Sequence, residues 1–180
     1  MANWSFDPSH SSVGFSVRHL MISKVRGQFG KWSGTFEYDP ANPAAARLEV
    51  HIDAASIDTR DEKRDAHLRS PDFFDVEKFP ELTFSSTKVE RDGGDDFVVT
   101  GDLTIHGVTR SVQLKVEGLG RTRDPWGGER VGFSASTSVN RKDFGLHWNV
   151  ALETGGVVVG EKVEIGIEIE AVRAAEQKVA

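Results

Sequence analysis

Histidine and carboxylate side chains are the groups in this sequence that could hold a metal ion or move a proton. Zinc needs three or four ligands that converge on one point, and no two histidines have the two-residue spacing of a strand or the four-residue spacing of a helix. The paired carboxylates of "DEKRD" and "DGGDD" lie in solvated segments, where nothing would raise a pKa for acid catalysis. The sequence therefore predicts no metal site and no catalytic residue. The histidines are His10, His19, His51, His67, His106 and His147.

Motifs for nucleophilic catalysis and phosphate binding are absent or incomplete. There is no G-x-S-x-G elbow, and the absence of cysteine excludes disulfides, thiolate nucleophiles and cysteine-based metal sites. The glycines of "GGVVVGEKV" have the spacing of a phosphate loop, but Glu161 stands where that loop requires a lysine. This segment is better interpreted as a turn that enters the last strand.

Length and composition are those of one globular domain. The 180 residues are 38% hydrophobic and 28% charged, and the net charge of -6 argues against binding to nucleic acid, which depends on excess Lys and Arg. The first residues lack the pattern of a signal peptide, and no apolar run has the length of a membrane span. We therefore expect a cytoplasmic protein without stable membrane insertion.

The aromatic residues are nearly all apolar, since 11 Phe and 4 Trp accompany a single Tyr. Such side chains must be buried or must face an apolar partner.

Alternation of apolar and polar residues recurs along the chain and predicts eight β-strands. In "SSVGFSVRH" the residues Val13, Phe15 and Val17 share one face, and in residues 25–38 the apolar residues change parity, which predicts a bulge near Gly30. The remaining strands are predicted in "ARLEVHIDA", "ELTFSSTKV", the hairpin "DDFVVTGDLTIHGVTRSVQLKVEGLG" with its turn around Gly107, "ERVGFSASTSV" and "EKVEIGIEIEAV".

One helix is predicted between strands three and four. Thr59 and Glu62 have the spacing of a capping box, which favours a helix from about Arg60 to Leu68. Eight antiparallel strands joined by short turns lose their exposed edges when they close into a barrel. The interior of such a barrel is either filled by side chains or just wide enough for one small ligand, and the strand pattern leaves both alternatives open.

Two loops combine cations with aromatic residues. His67 and Arg69 lead into Phe73 and Phe74, and "RKDFGLHWN" at residues 141–149 repeats the combination. The cations could simply be surface ion pairs and the aromatic residues ordinary core. The alternative is a mouth at which an apolar chain enters and a polar head group remains outside.

Five segments in order resemble the YceI-like family of lipid-binding proteins, also called the polyisoprenoid-binding family. The resemblance extends from about Trp4 to Val172, and its segments are "HSSVGFSVRHLMISKVRGQF", "IDTRDEKRDAHLRSPDFFDVEKFPELTF", "VTGDLTIHGVTRSVQL", "RKDFGLHWN" and "VEIGIEIEAV". It implies an extended lipocalin-like barrel that holds a long isoprenoid or other lipid, commonly in a homodimer, without catalytic residues. Many relatives are periplasmic, but without a signal peptide we expect cytoplasmic handling of quinone precursors or similar lipids.

We therefore predict an all-β protein, an extended eight-stranded antiparallel lipocalin-like barrel with a short helical insertion between strands three and four. The domain is expected over residues 3–173 and a flexible C-terminal tail over residues 174–180. The predicted function is non-enzymatic binding, storage or transport of a long-chain hydrophobic ligand, without a cofactor. The alternatives are an enzyme that acts on a lipid in the cavity and a stress or interaction module with a filled barrel.

The predicted site has two parts. The predicted ligand-binding residues are Val13, Phe15, Val17, Phe29, Trp32, Phe36, Phe73, Phe74, Leu103, Ile105, Phe133, Phe144 and Trp148, of which Phe73, Phe74, Phe144 and Trp148 are expected at the mouth. The predicted head-group residues are Arg64, His67, Arg69, Arg141 and Lys142.

Overall fold

The computed structural model describes residues 1–174, which form eleven β-strands and one α-helix. In chain order the elements are β1 Ala2–Phe6, β2 Ser12–His19, β3 Ser23–Phe29, β4 Trp32–Tyr38, β5 Arg47–Asp53, β6 Ile57–Asp58, α1 Glu62–Arg69, β7 Glu81–Gly93, β8 Asp96–Ile105, β9 Val108–Arg123, β10 Glu129–Asn140 and β11 Val159–Arg173. The predicted tail falls mainly on residues 175–180, which lie outside the described residues, and the predicted domain boundaries stay a prediction.

The strands form one closed antiparallel barrel. They pair in the order β1, β4, β5, β7, β8, β9, β10 and β11, and β1 pairs again with β11, which closes a ring of eight. The other three strands extend the sheet beyond this ring. β2 pairs with the first part of β11, β3 pairs with β2, and β6 pairs with β3. The predicted eight-stranded barrel is confirmed, and closure leaves the ring without a free edge.

Two long strands are interrupted where the sequence changes its pattern. Phe29 at the end of β3 and Trp32 at the start of β4 both face the barrel interior, with Gly30 and Lys31 inserted between them. The Gly30 amide donates to Ser56 O at 3.1 Å. The change of parity predicted near Gly30 therefore marks a break between two strands, β3 and β4, and not a bulge within one strand. The first strand, β1, begins before the predicted Ser11, and residues 7–11 form a kink between β1 and β2.

The helix differs from its prediction at its first residues. Asp61 is the N-cap, and its carboxylate accepts a bond from the Arg64 amide at 3.0 Å. The predicted capping box is wrong, because Arg60 has a φ of 62°, a left-handed conformation that a helix cannot continue through. Thr59 is instead buried and donates its hydroxyl to the Asp65 carboxylate.

The turn around Gly107 is as predicted. His106 and Gly107 both have a positive φ, at 54° and 72°, which is the conformation of a tight two-residue turn between β8 and β9.

Arg141 pins the connection between β10 and β11. The residue is 4% exposed, and its guanidinium donates to the carbonyls of Leu146 at 2.7 Å, Gly160 at 2.8 Å, Trp148 at 2.9 Å and Val159 at 3.2 Å. Burial lowers the pKa of Arg141 from its usual value, but an arginine starts so high that it stays charged at neutral pH. One cation therefore satisfies two carbonyls of the loop that follows β10 and two at the start of β11.

We predict that Arg141→Met destabilises the fold. The variant removes four hydrogen bonds and leaves carbonyls without partners, so the free energy of unfolding should fall by about 3 kcal/mol. The neighbouring Lys142 is a matched control, because its ammonium is exposed and Lys142→Met should cost less than about 0.5 kcal/mol. Urea denaturation of both variants measures the difference, and equal midpoints would contradict the structural role of Arg141.

A second charged cluster joins β10 and β11 to the kink between β1 and β2. Arg130 donates to Asp7 and Asp124, each at 2.9 Å, and also to Glu170. His10 adds a contact to Asp7 at 3.1 Å. Hydrogen bonds with His10 and then Arg130 lower the pKa of Asp7 to about 2.

This shift predicts a stability loss in acid. Because the pKa of Asp7 is lower in the folded chain than in the unfolded chain, its contribution is complete above about pH 4 and disappears as the pH falls through about 2. Asp7→Asn should therefore flatten the pH dependence of the unfolding midpoint in this window, whereas Asp92→Asn, at an exposed position of β7, should not. Thermal unfolding from pH 2 to 6 tests this, and an identical pH profile for wild type and Asp7→Asn would contradict it.

Candidate functional site

An elongated cavity of about 260 Å³ runs inside the barrel, and we call it the tunnel. Along β11 its lining extends from Val163 to Ile169, a length of about 20 Å at about 3.4 Å per residue. The volume exceeds the about 150 Å³ of an engineered apolar cavity that admits benzene. Because this volume is spread over about 20 Å, the tunnel is narrow. The surface that lines it is apolar.

The structure places most of the predicted ligand-binding residues along the tunnel. Those that line it are Val13, Phe15, Val17, Phe29, Trp32, Phe36, Phe73, Phe74, Leu103, Ile105, Phe133 and Phe144. Their contact with a ligand stays a prediction.

Glycines opposite large rings help to keep the tunnel open. Phe15 on β2 lies beside Gly27 on β3, and a Cβ at Gly27 would overlap the Phe15 ring. Phe84 on β7 covers Gly101 on β8 in the same way. The two rings thus lie along the wall, in the space that a neighbouring side chain would otherwise occupy.

Aromatic side chains line the part of the barrel built by β1, β4 and β10. Phe36 stacks on Tyr38 with ring centroids 5.5 Å apart, and Phe133 meets Tyr38 edge-on at 5.5 Å. The Trp4 indole donates to Tyr38 O at 3.0 Å. Burial raises the pKa of Tyr38, so its phenol stays protonated at neutral pH.

Phe73 and Phe74, which follow α1, line the tunnel together from the segment between β6 and β7. Phe74 meets Phe29 of β3 edge-on with ring centroids 5.9 Å apart, and its amide donates to Leu68 O at 2.9 Å. Phe73 is 6% exposed and packs on Trp148 at 5.3 Å. Both rings therefore cover the tunnel from the helical insertion.

Trp148 was predicted to bind the ligand at the mouth, and its contact with a ligand stays a prediction. It does not line the tunnel but packs on the outer side of Phe73, with the His67 ring 4.7 Å away. The reason is the Arg141 anchor, which holds Trp148 by its backbone carbonyl at 2.9 Å.

The predicted head-group arginines on and beside α1 are already bonded to the protein. Arg64 donates to the Thr59 hydroxyl at 2.7 Å and carbonyl at 2.8 Å. Arg69 donates to Ala55 O at 2.8 Å and Ile57 O at 2.9 Å. These bonds fasten the helix to the segment around β6 and leave the two guanidinium groups less available to a ligand.

The other three predicted head-group residues also have partners. Arg141 lines the tunnel, but its guanidinium is committed to backbone carbonyls. His67 contacts Asp72 at 2.8 Å, and Lys142 pairs with Glu161 at 2.6 Å on the surface. Recognition of a head group by any of the five stays a prediction, with the arginines least available for it.

Several lining residues were missed by the sequence analysis. Phe6 comes from β1, and Tyr38, Pro43 and Ala46 come from the end of β4 and the following loop. The alternation of Trp4 with Phe6 was a usable signal for β1. The Pro43 loop carries no periodic signal, since a short 3-10 helix at Pro43–Ala45 places it.

Catalytic and metal-binding groups are scarce around the tunnel. Its lining within residues 1–174 contains no histidine and no carboxylate. Asp7, His10 and Glu170 have ligand atoms within 4.8 Å of one another, but the Arg130 guanidinium bonds both carboxylates and already supplies the positive charge there. Within the described part of the chain, no helix is long and apolar enough to cross a membrane.

Known proteins with this fold and sequence pattern give the family. A UPF0312 protein of Photorhabdus laumondii is 41% identical over 174 residues, covering 96% of this chain and 87% of the relative. The crystal structure of Burkholderia cenocepacia BcnA superposes with a TM-score of 0.79 at 25% identity, covering 92% of this chain and 98% of that one.

A polyisoprenoid binding domain from Saccharophagus degradans, implicated in plant cell wall breakdown, shares the fold with a TM-score of 0.67 at 18% identity, covering 97% of this chain and 100% of that one. The model of the YceI-like domain matches residues 4–171. The chain therefore belongs to the YceI-like family.

Proposed function

We propose that this protein binds a long-chain hydrophobic ligand, a polyisoprenoid or a similar lipid, in its tunnel and stores or transports it without chemical change. The observation that carries the proposal is the elongated apolar tunnel of about 260 Å³ through the barrel. A polyisoprenoid binding domain with the same fold supports the ligand class.

The energetics of burial suit a linear apolar chain. Each buried methylene contributes about 0.8 kcal/mol, so several isoprene units contribute more than about 10 kcal/mol before ordering costs are subtracted. Because apolar contact has little directionality, the narrow tunnel selects by width and length more than by chemical identity. A bulky fused ring system fits such a space poorly.

The two alternatives from the sequence receive less support. A lipid-modifying enzyme needs a titrating group that faces the cavity, and the lining within residues 1–174 offers only the committed guanidinium of Arg141 and the phenol of Tyr38, whose pKa is raised by burial. A filled barrel is inconsistent with the tunnel. The homodimer and the cytoplasmic location stay predictions.

The proposal predicts that the purified protein carries or takes up a lipid. Native mass spectrometry and organic extraction should reveal a hydrophobic adduct, and protein stripped of lipid should bind a medium-length polyprenyl phosphate. Protein that arrives empty and takes up neither polyprenyl compounds nor fatty amides would refute the proposal.

A paired substitution on β10 tests whether the tunnel is the binding site. Ala135 lines the tunnel and Ser136, the next residue, is exposed. Ala135→Phe should fill part of the tunnel and weaken polyprenyl binding by roughly tenfold or more, because the ring occupies space that the ligand needs. Ser136→Phe adds the same ring outside and should bind as wild type; equal affinities for the two variants would place the ligand elsewhere.

A further inference from the structure

The hairpin tip between β2 and β3 exposes three large apolar side chains in a row. Leu20 is 40% exposed, Met21 54% and Ile22 84%. Val150, in the neighbouring loop, is 49% exposed. An exposed apolar cluster of this kind marks an interaction surface more often than a lone exposed side chain does.

The backbone conformation of the tip suits Asn or Gly better than the Leu20 and Met21 that occupy it. Leu20 and Met21 have φ values of 51° and 63°, a left-handed conformation in which residues with a Cβ are strained. Asn and Gly adopt such turns readily and would leave no apolar surface in water. Neither the turn geometry nor burial therefore explains two large apolar side chains at these positions.

Basic residues stand directly behind the tip. Arg18, Lys24 and Arg26 lie on the outer face of the β2–β3 hairpin, where Arg18 pairs with Lys24 and Arg26 with Ser16 across the two strands. Lys24 bonds Glu164 at 2.7 Å, whereas no carboxylate of residues 1–174 forms an ion pair with Arg18 or Arg26.

The chain segment that carries the tip has no acidic residues of its own, although the protein is acidic and Glu164 of the neighbouring β11 bonds Lys24. Residues 8–36 contain no Asp or Glu, in a chain that has 28 of them and a net charge of -6. An apolar tip with a basic collar is complementary to the surface of an anionic bilayer, whose phosphates attract Lys and Arg and whose interface accepts apolar side chains. It is less suited to a second copy of the same surface, which would bring like charges together.

The tip also lies close to the tunnel. The Leu20 amide donates to Val158 O at 2.8 Å, and His19 pairs with Val159, whose side chain lines the tunnel together with that of Val17. Met21 reaches the loop at Gly156, where a Cβ would lie 3.0 Å from Met21 Cγ. A surface that holds this tip therefore also meets one end of the tunnel wall.

We propose that the Leu20–Met21–Ile22 tip docks the protein on an anionic lipid bilayer, with Arg18 and Arg26 facing the lipid phosphates. Docking brings the tunnel to a membrane that holds hydrophobic chains. The use of docking for ligand loading rests on the proposed function, whereas docking itself can be measured without a tunnel ligand.

Vesicle flotation tests the proposal. Wild-type protein should bind vesicles of equimolar phosphatidylcholine and phosphatidylglycerol, bind phosphatidylcholine vesicles weakly, and be released by high salt. The triple variant Leu20→Asn, Met21→Gly and Ile22→Ser should bind the anionic vesicles at least about tenfold more weakly than wild type, because it loses the apolar contacts. Its thermal stability should be at least that of wild type, because the new residues suit the turn.

Two further variants make the test specific. Arg18→Gln with Arg26→Gln should weaken binding to the anionic vesicles by roughly fivefold per charge and should reduce its salt dependence. Trp126→Ser is the matched apolar control, since Trp126 is 87% exposed and lies in the connection between β9 and β10, away from the β2–β3 tip in the chain. It should bind as wild type.

Three outcomes would overturn the proposal: no binding of wild type to anionic vesicles, equal binding by wild type and the triple variant, or an equal loss in Trp126→Ser. A triple variant that changes the oligomeric state and leaves vesicle binding intact would assign the tip to a subunit contact instead. Binding of a polyprenyl phosphate in solution is measured in parallel. Retention of that binding in the triple variant separates a failure of docking from a failure of the proposed function.

Discussion

Closure of eight antiparallel strands is the constraint on which the rest of this structure depends. A ring of this size leaves room for one layer of inward side chains and, at most, a slender guest. Whether a guest fits is decided by where the largest rings lie. Phe15 and Phe84 lie over Gly27 and Gly101 in adjacent strands, so two bulky residues occupy the wall and not the axis. Small residues beside large ones are therefore as necessary to the tunnel as its apolar lining.

The sequence predicted the barrel well because each strand carries its own alternating signal. The parity change between Phe29 and Trp32 even located the break between β3 and β4. It could not predict the roles of the arginines, whose acceptors lie far along the chain. Arg69 bonds carbonyls 12 and 14 residues away, and Arg141 reaches one 19 residues away. That an arginine precedes an aromatic residue in the sequence does not reveal which distant carbonyls its guanidinium will bond.

The structure separates the work of charged and apolar residues. Arg64, Arg69 and Arg141 fasten loops and the helix to the barrel, and Arg130 joins the kink after β1 to β10 and β11. The part of the tunnel wall formed by residues 1–174 contains no histidine and no carboxylate, and its one guanidinium, that of Arg141, is bonded to backbone carbonyls. Under the proposed function, selection inside the barrel then depends on shape, and polar discrimination acts on the part of a ligand that remains outside.

A tunnel of this kind also limits how its content can be exchanged. A chain that leaves for water exposes every methylene again, at about 0.8 kcal/mol each, so escape into solvent becomes slow as the chain lengthens. Exchange is faster when the chain passes directly from one apolar environment to another. An apolar surface beside the end of the tunnel shortens the path of the chain through water. Leu20, Met21 and Ile22 form such a surface. They directly follow His19, which pairs with Val159 of the tunnel wall. Under the proposed function, the physics of storage thus favours a docking element at this end of the tunnel.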